Sequence, residues 1–365
     1  EHVPRFGKIS HSQGTSTDLP YLDVSIIFGI TVCDLPEQSS TSIVSITIVA
    51  LFSLLLSSCQ SQEPSNRPEV TTTEAAPLTE TDSTGSYVDA YGREIELSDA
   101  MGPIVSLAPN LTEIVAFLGQ EDRLVGRTDY CNFPPAVASS VPSIGTLGSY
   151  NYEEIVALDA AAILMMTFDG SSRKEYDRLV ALGRNPIAFA EGDLDAVTNL
   201  VDSVGIILGV GSIARHKTAR MRRTLDSLRR ARGPEVTKTL VIIAESPLIT
   251  TSGGFVADVI ESAGGSNVAA EEPLPYPRIG RERVLAWNPE VIVVPVVGVA
   301  ATAMPHDSIA HALLERYPEW HETEAGRTGR IVGIDADLLA RPGPRFLDGI
   351  RALRPLLLSD GVVSR

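Results

Sequence analysis

The side chains of this chain that could bind a small molecule follow its predicted strands, in loops on both halves of the sequence. Together they offer aromatic surface and a few polar groups, which suits a cleft for a large flat ligand. Open α/β sheets bind ligands at the carboxyl ends of their strands, so we expect these loops to share one cleft. Ordinary loop packing is the alternative for any one of them taken alone. The candidate ligand-binding residues are Tyr130, Phe133, Met166, Phe168, Glu245, Ser246, Tyr276, Asp337 and Arg341.

A second group of residues could bind a metal ion. Zinc sites need three or four converging ligands, and residues four apart, such as His311 and Glu315, share one face of a helix. A solvated helix and loop explains the same spacing more simply, so we predict no metal site. The group comprises His306, Asp307, His311, Glu315, His321 and Glu322.

The sequence lacks the usual catalytic motifs. The segment 209–214 imitates the glycine-rich turn of dinucleotide-binding folds. That fold needs an acidic residue about twenty positions later, after a second strand, whereas this region of the chain is a basic helix. A helix break is therefore the simpler interpretation. No GxSxG, P-loop or HExxH motif occurs, so we predict that the protein is not an enzyme and has no catalytic residues or cofactor.

Two stretches of alternating strands and helices flank one long predicted helix, Ser212–Arg232. Apolar residues recur along it every three or four positions, so one face can pack on the body. Its length of about 30 Å is enough to cross a small domain. The segments Glu153–Met165 and Glu282–Val294 also match each other without a gap, as a short helix, a turn and a buried strand. We predict an α/β fold of two Rossmann-like lobes with mostly parallel sheets, joined by one long rigid helix, with a ligand cleft between them.

The first part of the chain is typical of a processing signal and a tether. The apolar run Ile43–Leu56 is too short to span a bilayer and suits the core of a signal peptide. It leads through two serines to Cys59, a pattern that resembles a bacterial lipobox, so we expect Cys59 to be lipidated. Residues 60–86 are rich in Ser, Thr, Pro and Glu and should be a disordered tether. The predicted boundaries are 1–58 for the extension and signal peptide, 59–86 for the tether, 87–211 for the first lobe, 212–232 for the connecting helix and 233–365 for the second lobe.

Charge and cysteine content exclude some classes of protein. The formal net charge of −16 argues against nucleic-acid binding, because the phosphates would be repelled. Solubility is the simplest role for this charge. Three cysteines without a CxxC motif cannot build a disulfide framework.

Six motifs in order along the chain support a resemblance to a known family. They are Ser106–Glu113, Asp129–Pro135, Thr251–Gly254, Ala263–Asn267, Leu274–Glu282 and Arg341–Arg345. From about Tyr87 to Leu358, the chain resembles the substrate-binding proteins of ABC importers for vitamin B12, iron-siderophores and haem. Within that group it is most similar to the cobalamin-binding proteins.

This resemblance implies roles for particular residues. It places Tyr130, Tyr276, Asp337 and Arg341 in a cleft between two lobes. Two tryptophans of the cobalamin-binding proteins do not carry over, because their positions hold Met166 and Leu338. The resemblance also implies that one glutamate on each lobe docks on the permease; these are Glu153 and Glu282.

The sequence therefore predicts a lipid-anchored, extracytoplasmic, monomeric protein that captures a corrinoid, such as cobalamin. It would deliver this ligand to a permease dimer with its ATPase subunits, touch the membrane only through its lipid and bind no nucleic acid. Haem or an iron-siderophore is the alternative ligand, and zinc bound by His306, His311 and His321 is a weaker one. The stiff helix between the lobes predicts modest closure on ligand binding.

Overall fold

The computed structural model describes residues 85–167, 170–297 and 305–358. The predicted signal peptide, the lipidation site Cys59, nearly all of the predicted tether and the candidate Phe168 lie outside these ranges. What was predicted for those residues stays a prediction.

The first lobe contains a four-stranded sheet with helices packed around it. The strands of this lobe, in the main sheet and in two small hairpins, are β1 (Ser86–Val88), β2 (Glu94–Glu96), β3 (Ile104–Ser106), β4 (Leu124–Arg127), β5 (Gly145–Thr146), β6 (Ser149–Tyr150), β7 (Ala162–Thr167) and β8 (Pro186–Ala190). Its helices are α1 (Pro109–Phe117), α2 (Pro135–Ser140), α3 (Tyr152–Ala157), α4 (Gly170–Ala181) and α5 (Leu194–Ile207). The main sheet has the order β4-β3-β7-β8, with all neighbours parallel. Strands β1 and β2 form a separate antiparallel hairpin.

The second lobe repeats this arrangement after the connecting helix α6 (Gly211–Arg230). Its strands are β9 (Thr237–Val241), β10 (Ala244–Glu245), β11 (Leu248–Ile249), β12 (Gly265–Asn267), β13 (Val291–Val296) and β14 (Ile331–Asp335). Its helices are α7 (Gly254–Ala263), α8 (Arg281–Trp287), α9 (His306–Arg316), α10 (Glu324–Thr328), α11 (Ala336–Leu339) and α12 (Phe346–Leu358). The main sheet has the order β12-β9-β13-β14 and is also parallel.

The internal similarity found in the sequence is present in the backbone. Helices α3 and α8 each lead through a turn into the third strand of their sheet, β7 and β13. The turns share a left-handed residue, Asp159 with φ 43° and Asn288 with φ 46°, and Asp and Asn tolerate this conformation better than most residues. Both strands are buried almost throughout, as expected for sheets covered on both faces. The predicted pair of similar α/β lobes is confirmed.

The connecting helix α6 packs on both lobes with one apolar face. Ala214, near its start, belongs to the core of the first lobe. Met221 and Leu225, further along, belong to the core of the second lobe. The helix begins one residue earlier than predicted, and Ser212 does not cap it, because the N-cap position falls on Val210. The lobes are therefore joined by a long helix whose apolar face follows the predicted spacing.

Helix α5 also packs into the cores of both lobes. Its first turn places Leu194 and Val197 in the second-lobe core, while Val201 and Val204 lie in the first-lobe core. Helices α5 and α6 pack along each other, so the junction is a pair of helices rather than a single rod. Within the described ranges, no helix combines the length and the apolar character that crossing a membrane requires.

Candidate ligand-binding cleft

The parallel sheets of both lobes bring several candidate residues to the carboxyl ends of strands. Tyr130 follows β4, and Asp337 follows β14. The side chain of Asn132, two residues after Tyr130, donates a hydrogen bond to Asp337 Oδ2 at 2.8 Å. The loop after β4 in the first lobe therefore touches the short helix that follows β14 in the second, and the carboxyl edges of the two sheets meet there.

Glu113 of α1 forms the centre of a cross-lobe ion-pair cluster. Its carboxylate accepts hydrogen bonds from Arg341 Nη1 at 2.8 Å and from Arg345 Nη2 at 2.6 Å and Nε at 3.0 Å. The Glu113 side chain is 2% exposed, and those of Arg341 and Arg345 are 9% and 19% exposed. Charge-assisted hydrogen bonds of this kind are strong, so the cluster fixes the second-lobe segment Arg341–Arg345 against the first lobe.

Arg341 extends this cluster toward the candidate cleft. Its guanidinium donates to Asp337 Oδ1 at 2.6 Å, to Asn132 Oδ1 at 2.8 Å and to the carbonyl oxygen of Tyr130 at 3.5 Å. The Arg345 guanidinium lies over the ring of Phe133, 4.1 Å from its centroid, which is a cation–π contact. Four of the predicted ligand-binding residues, Tyr130, Phe133, Asp337 and Arg341, are thus close together.

The charges of this cluster balance. Two arginines, Arg341 and Arg345, face two carboxylates, Glu113 and Asp337. Burial lowers the pKa of Arg345, but the hydrogen bond and the charge of Glu113 outweigh it, so the pKa is raised overall. Both guanidinium groups are therefore engaged by protein carboxylates and are not spare cations.

Tyr276 is within electrostatic reach of a group that the sequence did not point to, Glu191. Tyr276 is half-buried against the second-lobe core, and burial raises the pKa of its hydroxyl, with a further contribution from the charge of Glu191. Glu191 keeps contact with solvent, yet protein surrounds its carboxyl closely enough that desolvation raises its pKa to about 7. Glu191 follows β8 directly, so the rule that selected Tyr130 would also have selected it.

Three of the other predicted ligand residues lie elsewhere. Met166 is 3% exposed and packs inside the first-lobe core. Glu245 pairs with Arg316, and its carbonyl oxygen accepts a hydrogen bond from the Tyr317 hydroxyl at 3.1 Å. Ser246 is exposed in the turn between β10 and β11. The described contacts of Glu245 and Met166 are thus within their own lobes, not with the cross-lobe cluster.

The predicted docking glutamates occupy equivalent positions on the two lobes. Glu153 is the second residue of α3, and Glu282 is the second residue of α8. Both residues are exposed. Carboxylates in the first turn of a helix interact favourably with its dipole, and this local role is compatible with presentation to a partner.

The histidines considered for zinc do not converge. His306 Nδ1 accepts a hydrogen bond from the backbone N–H of Gly333 at 3.1 Å, and His311 lies 3.3 Å from Glu315 on an exposed helix face. Within residues 85–167, 170–297 and 305–358, no three His, Cys, Asp or Glu side chains are arranged to hold a metal ion. At the weak glycine motif, Gly209 has φ +71° and follows the end of α5, so this segment is a helix break.

Comparisons with known proteins agree with the two-lobed architecture. A family model described as periplasmic binding protein matches residues 104–338. The vitamin B12-binding protein of Vibrio cholerae serotype O1 is 26% identical over 250 residues, covering 68% of this chain and 86% of that protein. The crystal structure of the vitamin B12-binding protein BtuF of Vibrio cholerae gives a TM-score of 0.58 at 24% identity over 70% of this chain and 95% of that one. The haem-binding protein HutB of Vibrio cholerae gives 0.60 at 18% identity over 71% and 100%, and these two likenesses concern the fold. The family match spans most of the two lobes, and this chain belongs to the periplasmic binding protein family.

Proposed function

We propose that this protein is the extracytoplasmic substrate-binding protein of an ABC importer and that it binds a corrinoid, such as cobalamin. The supporting observation is that sequence relatives named vitamin B12-binding protein match over 86% of their length. Tyr130 on the first lobe and Tyr276 on the second are the aromatic residues that we assign to the ligand. Aromatic rings give a large flat ligand broad apolar contact. The protein binds and releases its ligand unchanged and is not an enzyme.

Delivery requires a docking surface as well as a cleft. Glu153 and Glu282 are exposed at matching helix positions on the two lobes, which suits recognition of a permease dimer by one carboxylate per lobe. Exposed charges of this kind set association rate and orientation more than affinity. Attachment through a lipid on Cys59 would keep the protein near its permease at the outer side of the membrane.

Haem is the second candidate ligand, because the haem-binding protein HutB shares the fold over its whole length. An iron-siderophore remains a third candidate. Titration calorimetry with cyanocobalamin, haemin, a ferric siderophore and zinc chloride distinguishes them. We expect cyanocobalamin to bind most tightly; tighter binding of haemin, siderophore or zinc would overturn the corrinoid assignment.

Variants of the two cleft tyrosines test the location of the site. Tyr130→Ala and Tyr276→Ala should each weaken cyanocobalamin binding by about tenfold, the loss of one stacked ring with its buried area. Tyr276→Phe is the matched control, because it keeps the ring and removes only the hydroxyl. Unchanged affinity in both alanine variants would place the ligand elsewhere.

A further inference from the structure

Glu191 lies where the two lobes meet. It directly follows β8, the edge strand of the first-lobe sheet. Three residues later, Leu194 is buried in the second-lobe core, and its backbone N–H donates to Asp258 Oδ2 at 3.2 Å. Tyr276 packs on that same core. The chain therefore carries Glu191 to the junction, within electrostatic reach of Tyr276.

The surroundings of Glu191 are acidic. Asp193 lies two residues away and caps α5 by accepting the N–H of Ala196. Burial raises the pKa of Asp258 on α7, and the charge of Asp193 adds to this rise. The hydrogen bond from the Leu194 N–H and the charge of Arg229 act in the opposite direction. Among the described residues, the Glu191 carboxyl makes no hydrogen bond or ion pair. A ligand in this part of the cleft meets a carboxylate that the protein itself has not satisfied.

The arginines of the cross-lobe cluster do not offset this carboxylate. Arg341 and Arg345 are already engaged by Glu113 and Asp337 in the cross-lobe cluster. An anionic ligand would have to break one of these buried pairs before a guanidinium could receive it, and removing one partner of such a pair is costly. The Glu191 carboxylate is therefore available to accept hydrogen bonds from a ligand, whereas the guanidinium groups of Arg341 and Arg345 are not available to bind an anion.

We propose that Glu191 selects the ligand by the ligand's peripheral groups. Its carboxylate accepts hydrogen bonds from the neutral amides of a corrinoid and disfavours macrocycles that carry peripheral carboxylates, such as haem. This inference rests on the proposed function and refines it. A carboxylate is a strong acceptor for amide N–H groups, and like charges placed together oppose binding. Haem carries two propionates, whereas the side chains of cobalamin end in amides.

The selection should depend on pH, because the protein around the carboxyl of the exposed Glu191 desolvates it and raises its pKa to about 7. At pH 8 the carboxyl is ionised and repels a ligand carboxylate; at pH 6 it is protonated and the repulsion is gone. Tyr276 on the second lobe, whose hydroxyl feels the charge of Glu191, stays neutral over this range because burial raises its pKa.

The test uses two corrinoids that share one ring system. Cyanocobalamin carries amides, and cobyrinic acid carries carboxylates at the same positions; haemin is the third ligand. All three are titrated into the wild-type protein and Glu191→Gln at pH 6 and pH 8. Glu235→Gln is the control, because Glu235 is exposed just before β9, at the opposite end of the strands. The melting temperature of each variant confirms that it is folded.

We expect Glu191→Gln at pH 8 to raise the affinity for cobyrinic acid and haemin relative to cyanocobalamin by about tenfold, the equivalent of one pKa unit. At pH 6 the change should shrink to threefold or less, and Glu235→Gln should leave the ratio unchanged. An unchanged ratio in Glu191→Gln at pH 8, in a protein that binds cyanocobalamin, would overturn this inference alone. Absence of cyanocobalamin binding in the wild type would instead overturn the proposed function.

Discussion

Replacing Glu113 by Gln should destabilise the protein by about 3 kcal/mol, the lower end of the 3–5 kcal/mol range for a broken buried ion pair. Glu113 accepts three hydrogen bonds from Arg341 and Arg345 while being almost fully buried. Gln keeps the volume but loses the charge, and its amide nitrogen faces a guanidinium. We expect the lower end because Arg341 retains Asp337 and Arg345 is partly solvated.

Urea unfolding followed by circular dichroism measures this loss as a lower midpoint at constant slope. The melting temperature should fall by roughly 6–12 °C, at about 2–4 °C per kcal/mol for a domain of this class. Glu235→Gln changes an exposed residue and should stay within about 0.5 kcal/mol of the wild type. Adding Arg345→Gln to Glu113→Gln should restore part of the loss, because it removes an uncompensated charge. A loss below about 1 kcal/mol for Glu113→Gln would refute this reasoning.

Other predictions concern docking, packing, pH and closure. Glu153→Lys with Glu282→Lys should abolish corrinoid uptake by cells and leave its affinity intact in calorimetry; lost affinity would mean that these residues line the cleft. Gly349→Ala would place a Cβ 2.1 Å from the Leu338 carbonyl oxygen, so the unfolding free energy should fall by about 1–3 kcal/mol, and an unchanged urea midpoint would contradict this. The pKa of Glu191 is raised in the folded protein, so ionising its carboxyl lowers the free energy of unfolding; this loss is absent below about pH 4 and complete once the pH has risen through 7. Glu191→Gln should therefore show a smaller fall in urea midpoint between pH 5 and 8 than the wild type, and an equal fall argues against the shift. Two helices packed in both lobes predict little change in the radius of gyration on ligand binding, and a large compaction in X-ray scattering would disprove it.

Much of the fold could be predicted because its signals are local. The spacing of apolar residues located α6 to within two residues at each end, and the repeated segments beginning at Glu153 and Glu282 indicated two similar lobes. Alternating strands and helices leave few arrangements other than parallel sheets. These features depend on neighbours along the chain, so one sequence is enough to reveal them.

The cross-lobe cluster could not be predicted in the same way. Glu113 and Arg345 belong to two of the six sequence motifs, but they are 232 residues apart along the chain, and only the folded structure shows that they are in contact. Met166 was chosen as a loop residue at the end of a strand, whereas it lies within β7, a central strand buried on both faces. Glu191 directly follows β8, but a lone carboxylate after a strand gives no sign in the sequence that its charge reaches Tyr276 of the other lobe.

The left-handed turns at Asp159 and Asn288 mark matching positions in two lobes of similar sheet order. Such a body presents the same helix start, with a glutamate at its second residue, twice. A membrane partner made of two identical subunits would meet equivalent charges whichever way round the protein arrived. These matching glutamates alone would therefore not decide which lobe meets which subunit; the parts of the two lobes that differ would have to do so.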